Sequence, residues 1–405
     1  MNGKVYIFVT QNITGIGGAQ LYVVRKANYF ASNGWTVLIV SYKKGCVRVP
    51  ISPEVCNLVF PEMSYYPSEI SNRVFKKVLG SFDDYRGREI VIESNNIVNC
   101  AWAECIAKHL DAKHFCYLLS ENYPPRLQDV DRLLLFKFQQ GQLFGITEHS
   151  IPNLFGLSGT LPRTSLFSTG GDGNIVEEYN DSNLPLLPES DWRILSLGRL
   201  GKDYVIPMSR AIAHFAQRNI DKRINVLYIG DTDNKEIKSS ILSSYEGCEN
   251  VNISLVGEYL PIPRQFFLMS DVAISSAGSA DVCAREGLPT ISVDGNDFYA
   301  IGLLGETTDN CLFRDQEPKI PIEELLEEVL VEKVYLPDRS KTDTVKFDYT
   351  KHLQVMEHLI KGEYYHLSMN SESKKERLTK LLISLLGFKA FSRCVKIKAK
   401  LLKGL

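Results

Sequence analysis

The chain has 405 residues, 44% hydrophobic and 23% charged, with 28 glycines and 17 prolines. That is too long for one compact core and suits two α/β domains, while the composition excludes wholesale disorder and fibrous repeats. The net charge of −2 gives the body of the chain no reason to seek nucleic acid.

Residues 5–10 (VYIFVT) read as a buried strand. The apolar run after Lys4 is too short for a signal sequence and leads into a glycine-rich loop. Nowhere does the chain offer the roughly 18 continuous apolar residues of a membrane span, so secretion and spanning are disfavoured. Residues 11–18 read as loop, 19–32 as a helix closed by Gly34, and 36–40 as a second strand. Strands at 89–93 and 114–119 follow, with an amphipathic helix at 99–110 between them. Val/Ile runs joined through helices mark parallel strands buried on both faces, hence a doubly wound sheet. A proline-rich stretch at 184–189 (LPLLPE) reads as a linker. A second series follows, with strands at 192–197, 225–229, 252–255, 271–275 and 290–293 and a helix within 208–218. The expected architecture is α/β: two Rossmann-like doubly wound domains facing a central cleft, because ligands sit beyond the carboxyl ends of parallel strands. The nine cysteines have no zinc-ligand spacing and read as free thiols of a reducing cytosol.

Three loops carry chemistry. Gly15-Ile16-Gly17-Gly18-Ala19-Gln20 joins the first strand to the first helix, where the Gly17 and Gly18 amides and the helix dipole favour a phosphate; a tight turn with no ligand is the other reading. Ser196-Leu197-Gly198-Arg199-Leu200-Gly201-Lys202 follows a strand of the second domain. There the Arg199 fork and the Lys202 point charge suit a diphosphate leaving group, against the alternative of a solvated loop. Ser275-Ser276-Ala277-Gly278-Ser279-Ala280-Asp281 follows the strand at 271–275 and opens a helix ending near Gly287. Ser276, Gly278 and Ser279 are donor-binding candidates and Asp281 stands in the first turn, although capping alone would explain Ser279 and Asp281. Glu121, after the strand at 114–119, is a candidate for contact with sugar or acceptor, with a surface carboxylate as the equal alternative. Asp129-Val130-Asp131 reads as a helix start or solvated face, and Asp231-Thr232-Asp233 as a turn after Gly230 rather than a metal site. His109, His114, His149 and His214 form no ligand set and read as surface or helix-packing residues, so no metal is expected.

In their order these elements resemble the retaining GT-B glycosyltransferases of family four. The family's Gly-Gly-Ala-Glu element looks like Gly17-Gly18-Ala19-Gln20, and its Gly-Arg-Leu element looks like Gly198-Arg199-Leu200. The later signature runs through Gly230-Asp231, Val256-Gly257 and Ser270-Asp271-Val272 to Gly287-Leu288-Pro289-Thr290-Ile291. The likeness spans about residues 1–300. It departs at the Glu-x7-Glu pair: Val282 occupies the second position with Asp281 beside it, and residues 275–279 hold no first glutamate. Lys202 also stands closer to Arg199 than the family's lysine does to its arginine. The resemblance implies an acceptor-side domain at 1–187, a nucleotide-sugar domain at 188–345 and a helix in 346–370, with residues 351–361 at its heart, crossing back to the first domain. It implies a UDP- or GDP-sugar as donor with no further cofactor, and a glycan or lipid-linked acceptor, in surface polysaccharide synthesis. Retention needs no protein nucleophile, because the donor's own phosphate oxygen serves as base. The alternatives are a catalytically silent GT-B partner or chaperone of another transferase, and a GT-B enzyme of another type, an inverting transferase or a nucleotide-sugar epimerase.

Residues 374–405 hold ten Lys/Arg against one Glu, so this tail carries +9 and the rest of the chain −11. Leu378, Leu381, Leu382 and Leu385 follow helical spacing. Gly387 separates them from Phe391, Val395 and Leu402, with Lys380, Arg393, Lys396, Lys400 and Lys403 largely off these stripes. This is the pattern of a helix lying on an anionic membrane surface, so the expected place is cytoplasmic and peripheral on the inner face of the membrane. A helical pair packed on the body or on a partner is the other reading.

Overall fold

The computed structural model describes residues 3–14, 17–43, 45, 49–119, 128–164, 176–177, 184–185, 187–338, 349–368, 374–388, 390–391 and 393–395. The chain forms two units: Met1–Ser168 with Asp348–Leu405, and Thr169–Phe347.

Unit 1 is built on six parallel strands, β1 (Val5–Val9), β2 (Thr36–Ser41), β3 (Val55–Val59), β4 (Ile90–Ser94), β5 (Lys113–Leu118) and β6 (Leu143–Gly145), in the order β3-β2-β1-β4-β5-β6. Its helices are α1 (Gly18–Ser32), α2 (Asn72–Gly80), α3 (Ile97–Leu110), α4 (Gln128–Gln139) and α5 (Ser150–Leu154). The order reverses between β1 and β4, which is the switch point of a doubly wound sheet. Strand β1 is apolar and buried throughout because helices cover both faces, whereas its neighbour β4 carries the buried Glu93 and Ser94. Helix α3 starts where the Asn96 side chain accepts from the Asn99 amide at 2.8 Å, and ends at Asp111 in the left-handed region.

Unit 2 repeats the plan. Strands β8 (Trp192–Leu197), β9 (Ile224–Ile229), β10 (Val251–Gly257), β12 (Val272–Ser275), β13 (Thr290–Val293) and β14 (Ala300–Leu303) lie in the order β10-β9-β8-β12-β13-β14, parallel except for β14. A short parallel pair, β7 (Val176–Glu177) with β11 (Ile262–Pro263), stands apart. The helices are α6 (Val205–Arg218), α7 (Lys235–Ser243), α8 (Gln265–Leu268), α9 (Gly278–Arg285) and α10 (Ile322–Leu326). Successive residues of β8 feed different cores: Ile194 packs with Met208 and Phe215, Leu195 with Phe266 and Cys283.

After unit 2 the chain returns to unit 1 as α11 (Thr350–His358) and α12 (Lys374–Leu386). His352 of α11 is fully buried, its ring against Tyr22, Tyr117 and Tyr349. Three carboxylates hold the segment between the helices: Asp111 accepts from the Tyr364 hydroxyl, Glu104 from the Tyr365 amide, and Asp129 from the Tyr365 hydroxyl and the Ser368 amide, at 2.6–2.9 Å. Ile383 and Phe391 then enter the core around Met63 and Trp102. Among the described residues no helix is long and apolar enough to cross a membrane.

Candidate functional site

The loops at the carboxyl ends of the unit 2 strands converge through glycine. Past β8 the Gly198 amide donates to the Ile229 carbonyl at 2.8 Å, and past β9 the Gly230 amide donates to the Gly257 carbonyl at 2.8 Å. Gly230 has φ +141°, and a Cβ there would stand 1.9 Å from the Gly198 carbonyl oxygen, so backbone rests on backbone. The Leu200 amide reaches the Asp231 carbonyl at 3.3 Å, which ties the Gly-Arg-Leu loop to the Gly-Asp turn.

Past β12 the Ser275 hydroxyl donates to the Leu197 carbonyl at 2.6 Å and draws that strand end against β8. Ala277 takes φ +59°, ψ −145°, a conformation suited to glycine, with its amide on the Cys311 carbonyl. Helix α9 opens at Gly278, and the Ala280 and Asp281 amides turn back to the Ala277 carbonyl. Its first turn faces the Gly198 loop: a Cβ on Gly198 would meet Ser279 Oγ at 3.5 Å and the Tyr204 hydroxyl at 3.4 Å.

Tyr204 was not singled out by the sequence. It is 3% exposed, and its hydroxyl has no hydrogen-bond partner; the Ser275 hydroxyl and the Ser276 backbone lie near it but outside bonding geometry. Burial pushes this hydroxyl up to about 12, so it stays a proton donor. The Lys202 ammonium lies over the Tyr204 ring at 5.7 Å. Lys202 is half-buried and Arg199 is exposed. Tyr204 therefore touches both the cationic loop and the serine loop. The only sequence signal for it was an aromatic hydroxyl at the start of the helix that follows Gly-Arg-Leu.

Gly198, Gly230, Tyr204 and Ser279 thus share one end of unit 2, with Arg199, Lys202, Ser276 and Gly278 on the same loops. Asp281 is half-buried and held 2.8 Å from Arg285, one helical turn on; burial raises its carboxyl above the ordinary value and Arg285 opposes this. The Asp231 carboxylate accepts from the Thr232 amide and pairs with Lys238. Among the described residues no group of three His, Cys, Asp or Glu side chains is placed to hold a metal. In unit 1, Gly17 caps α1 and Gly18 begins it, with open space where a Gly18 side chain would be. Gly15, Ile16 and Glu121 lie outside the described residues.

Two buried charge clusters in unit 1 had no counterpart in the sequence reading. Lys26 Nζ lies 2.6 Å from Glu93 Oε2 and donates to His352 Nδ1 at 2.9 Å; Tyr6, Tyr22 and Asn95 also donate to Glu93. His114, read as a surface or helix-packing residue, is instead a buried residue of β5. Its Nδ1 donates to Glu104 at 2.7 Å, which leaves Nε2 to accept from the Ser94 hydroxyl at 3.0 Å, and Lys137 also pairs with Glu104. Burial, then the Lys137 charge, lowers His114 to about 4. Burial would raise Glu104, but His114 and Lys137 outweigh it and hold the carboxyl at about 2.

No protein-family model matches this sequence, and neither does any curated protein. Solved structures do. Sucrose-phosphate synthase from Thermosynechococcus elongatus is 14% identical with a TM-score of 0.52, over 96% of this chain and 100% of that one. A glycosyltransferase from Rickettsia africae is 13% identical with a TM-score of 0.53, over 89% and 99%. Anabaena HepE in complex with UDP-glucose is 13% identical with a TM-score of 0.52, over 87% and 98%. At these identities the likeness is one of fold, and with two parallel-sheet α/β units in the same strand order, the chain has the GT-B fold.

Proposed function

We propose that the chain is a glycosyltransferase that moves a sugar from a nucleotide diphosphate sugar, UDP- or GDP-linked, to a glycan or lipid-linked acceptor. The observation that carries this reading is the end of unit 2. There two glycine-paired loops, the first turn of α9 and an unpartnered Tyr204 hydroxyl meet beside Arg199 and Lys202. Such a place offers backbone amides, a helix dipole, a hydroxyl donor and two cations to a pyrophosphate. Sugar transfer demands that combination, because the bond from the sugar carbon to the phosphate oxygen breaks and negative charge grows on the leaving diphosphate. HepE, of similar fold, holds UDP-glucose.

In this reading Arg199 and Lys202 neutralise the departing diphosphate, and Ser276, Gly278 and Ser279 present α9 to it. Gly230 keeps the Arg199 loop in place, and Gly17 and Gly18 offer amides to a phosphate in unit 1. Asp281 stands for the ribose contact and Glu121 for the sugar or acceptor. Transfer proceeds with retention: the acceptor hydroxyl attacks from the leaving-group side and its proton passes to the departing phosphate oxygen. The product belongs to surface polysaccharide synthesis, and the basic segment 374–405 keeps the enzyme on the inner face of the membrane.

Calorimetric titration with UDP- and GDP-sugars tests the donor site. Arg199→Ala is expected to keep the fold and lose about 1.5–3 kcal/mol of donor affinity, with turnover falling alongside. Tyr204→Phe is expected to weaken binding less, through the lost hydroxyl alone. A folded wild-type protein that binds neither donor would overturn the enzyme reading. It would favour a silent partner of another transferase, which Val282 in the glutamate position and the engagement of Asp281 with Arg285 otherwise motivate.

A further inference from the structure

Helix α12 and the residues after it carry two apolar faces, and the fold covers one. Ile383, 2% exposed, and Phe391, 7% exposed, are sealed in the core with Met63, Trp102 and Ile106, and Tyr65 packs on the rings of Phe388 and Phe391. At roughly 100° per residue, Leu378, Leu381 and Leu385 fall within about 60° of one another on the side opposite Ile383. They are 56%, 54% and 72% exposed, and Leu386 at the helix end is 50% exposed. The stripe leads into an open groove of about 630 Å³ lined by Leu386, Gly387, Phe388, Ala390, Arg393 and Cys394, with exposed Val395 beyond it. A docked helix that holds a contiguous leucine stripe in water marks an interaction surface.

Charge identifies the occupant. The +9 of residues 374–405, against −11 for the rest of the chain, concentrates cations on the segment that carries the apolar stripe. An anionic phospholipid bilayer accepts both, leucine side chains at the acyl boundary and Lys/Arg at the headgroups. A second copy of this segment would instead bring two stretches of like charge, +9 each, together.

We propose that the outward face of α12, formed by Leu378, Leu381 and Leu385 with Leu386 and Arg393 at the groove, lies in the headgroup layer of an anionic bilayer while Ile383 and Phe391 anchor the same helix to unit 1. The contact is then a fixed surface of unit 1 rather than a detachable tether, and it sets how unit 1 stands on the membrane. This deepens, and rests on, the membrane-side placement proposed above; it does not depend on the transfer chemistry.

The test is sedimentation of the full chain with vesicles of phosphatidylcholine alone and of phosphatidylcholine mixed with phosphatidylglycerol. The wild type is expected to follow only the mixed vesicles, and less so at high salt. The combined variant Leu378→Ser, Leu381→Ser, Leu385→Ser is expected to lose about tenfold in bound fraction while its melting temperature and donor affinity stay unchanged. Ile383→Ala, on the anchored face, is expected to lower the melting temperature instead. A triple variant that sediments like the wild type overturns the face assignment and leaves membrane placement standing. A wild type that ignores both vesicles overturns both. A self-associated state, seen by light scattering and dissolved by the triple variant, assigns the stripe to a second copy and overturns the proposal. Loss of donor binding with vesicle binding intact would fall on the transferase reading alone.

Discussion

At Gly230 the backbone of one loop rests on the backbone of another, and the side chain of any other residue would enter the Gly198 carbonyl. Ala277 presents the reverse case, a residue with a Cβ held at φ +59° where glycine is at ease. The two substitutions are therefore expected to act in opposite directions. Gly230→Ala loses at least about 2 kcal/mol from strain and clash. Ala277→Gly gains about 1 kcal/mol, because relief of strain exceeds the added freedom of the unfolded chain. Denaturant midpoints at constant m-value check both. The glycine motifs were legible in the sequence because close backbone approach leaves few residue choices. Tyr204 was not, since a tyrosine beginning an amphipathic helix reads as core, and only the structure shows its hydroxyl unpartnered. The engagement of Asp281 with Arg285 follows helical spacing that was open to reading, but capping accounted for Asp281 first.

Strand β5 and helices α3 and α4 meet at His114, Glu104 and Lys137, and that contact gives unit 1 an acid limit. His114 is held near 4 against an ordinary 6.5, so between these values the unfolded chain binds a proton that the folded one refuses; stability falls as pH drops from about 6.5 to about 4. Glu104 is held near 2 against an ordinary 4.5, so its share is present above 4.5 and lost as pH falls from there toward 2. Thermal unfolding across this range is expected to show a continuous decline below about pH 6.5, and His114→Gln is expected to flatten the upper part and to weaken the lower part as well, because His114 helps to hold the Glu104 carboxyl down. Strand β1 was legible because burial on both faces writes an unbroken apolar run, and β8 and β13 because their Ile, Leu and Val residues stand between turn signals. Strand β3 was not: it lies at the sheet edge with Cys56 and Asn57 exposed, and its pattern is that of a loop. His114 misled because its partners, Ser94, Glu104 and Lys137, come from three other elements and carry no sequence spacing.

Over the whole molecule the two series of strands announced two sheets, and the shared order β3-β2-β1-β4-β5-β6 and β10-β9-β8-β12-β13-β14 shows how alike they are. The sequence did not show what fastens the returning chain. His352 sits in the helix expected to cross back to the first domain, and there it meets Lys26, whose buried pair with Glu93 is costly to leave uncovered. Unit 2 is one unbroken stretch with its own two cores. A fragment of residues 169–347 is accordingly expected to unfold in a single transition and to retain calorimetric donor binding, weakened by the loss of the Gly17 and Gly18 amides, whereas residues 1–168 alone are expected to be unfolded by circular dichroism. A folded 1–168 fragment would show that the return segment is dispensable.

The seating of Ile383 and Phe391 in the core of unit 1 also sets a timetable for biosynthesis. The ribosome delivers the strands of unit 1 before those of unit 2, but their closing side chains leave the exit tunnel only after all of unit 2, some two hundred residues past Ser168. The unit made second can therefore finish folding before the unit made first, and for that interval the earlier half of the nascent protein depends on chaperones or on slow elongation to keep its open face from aggregating.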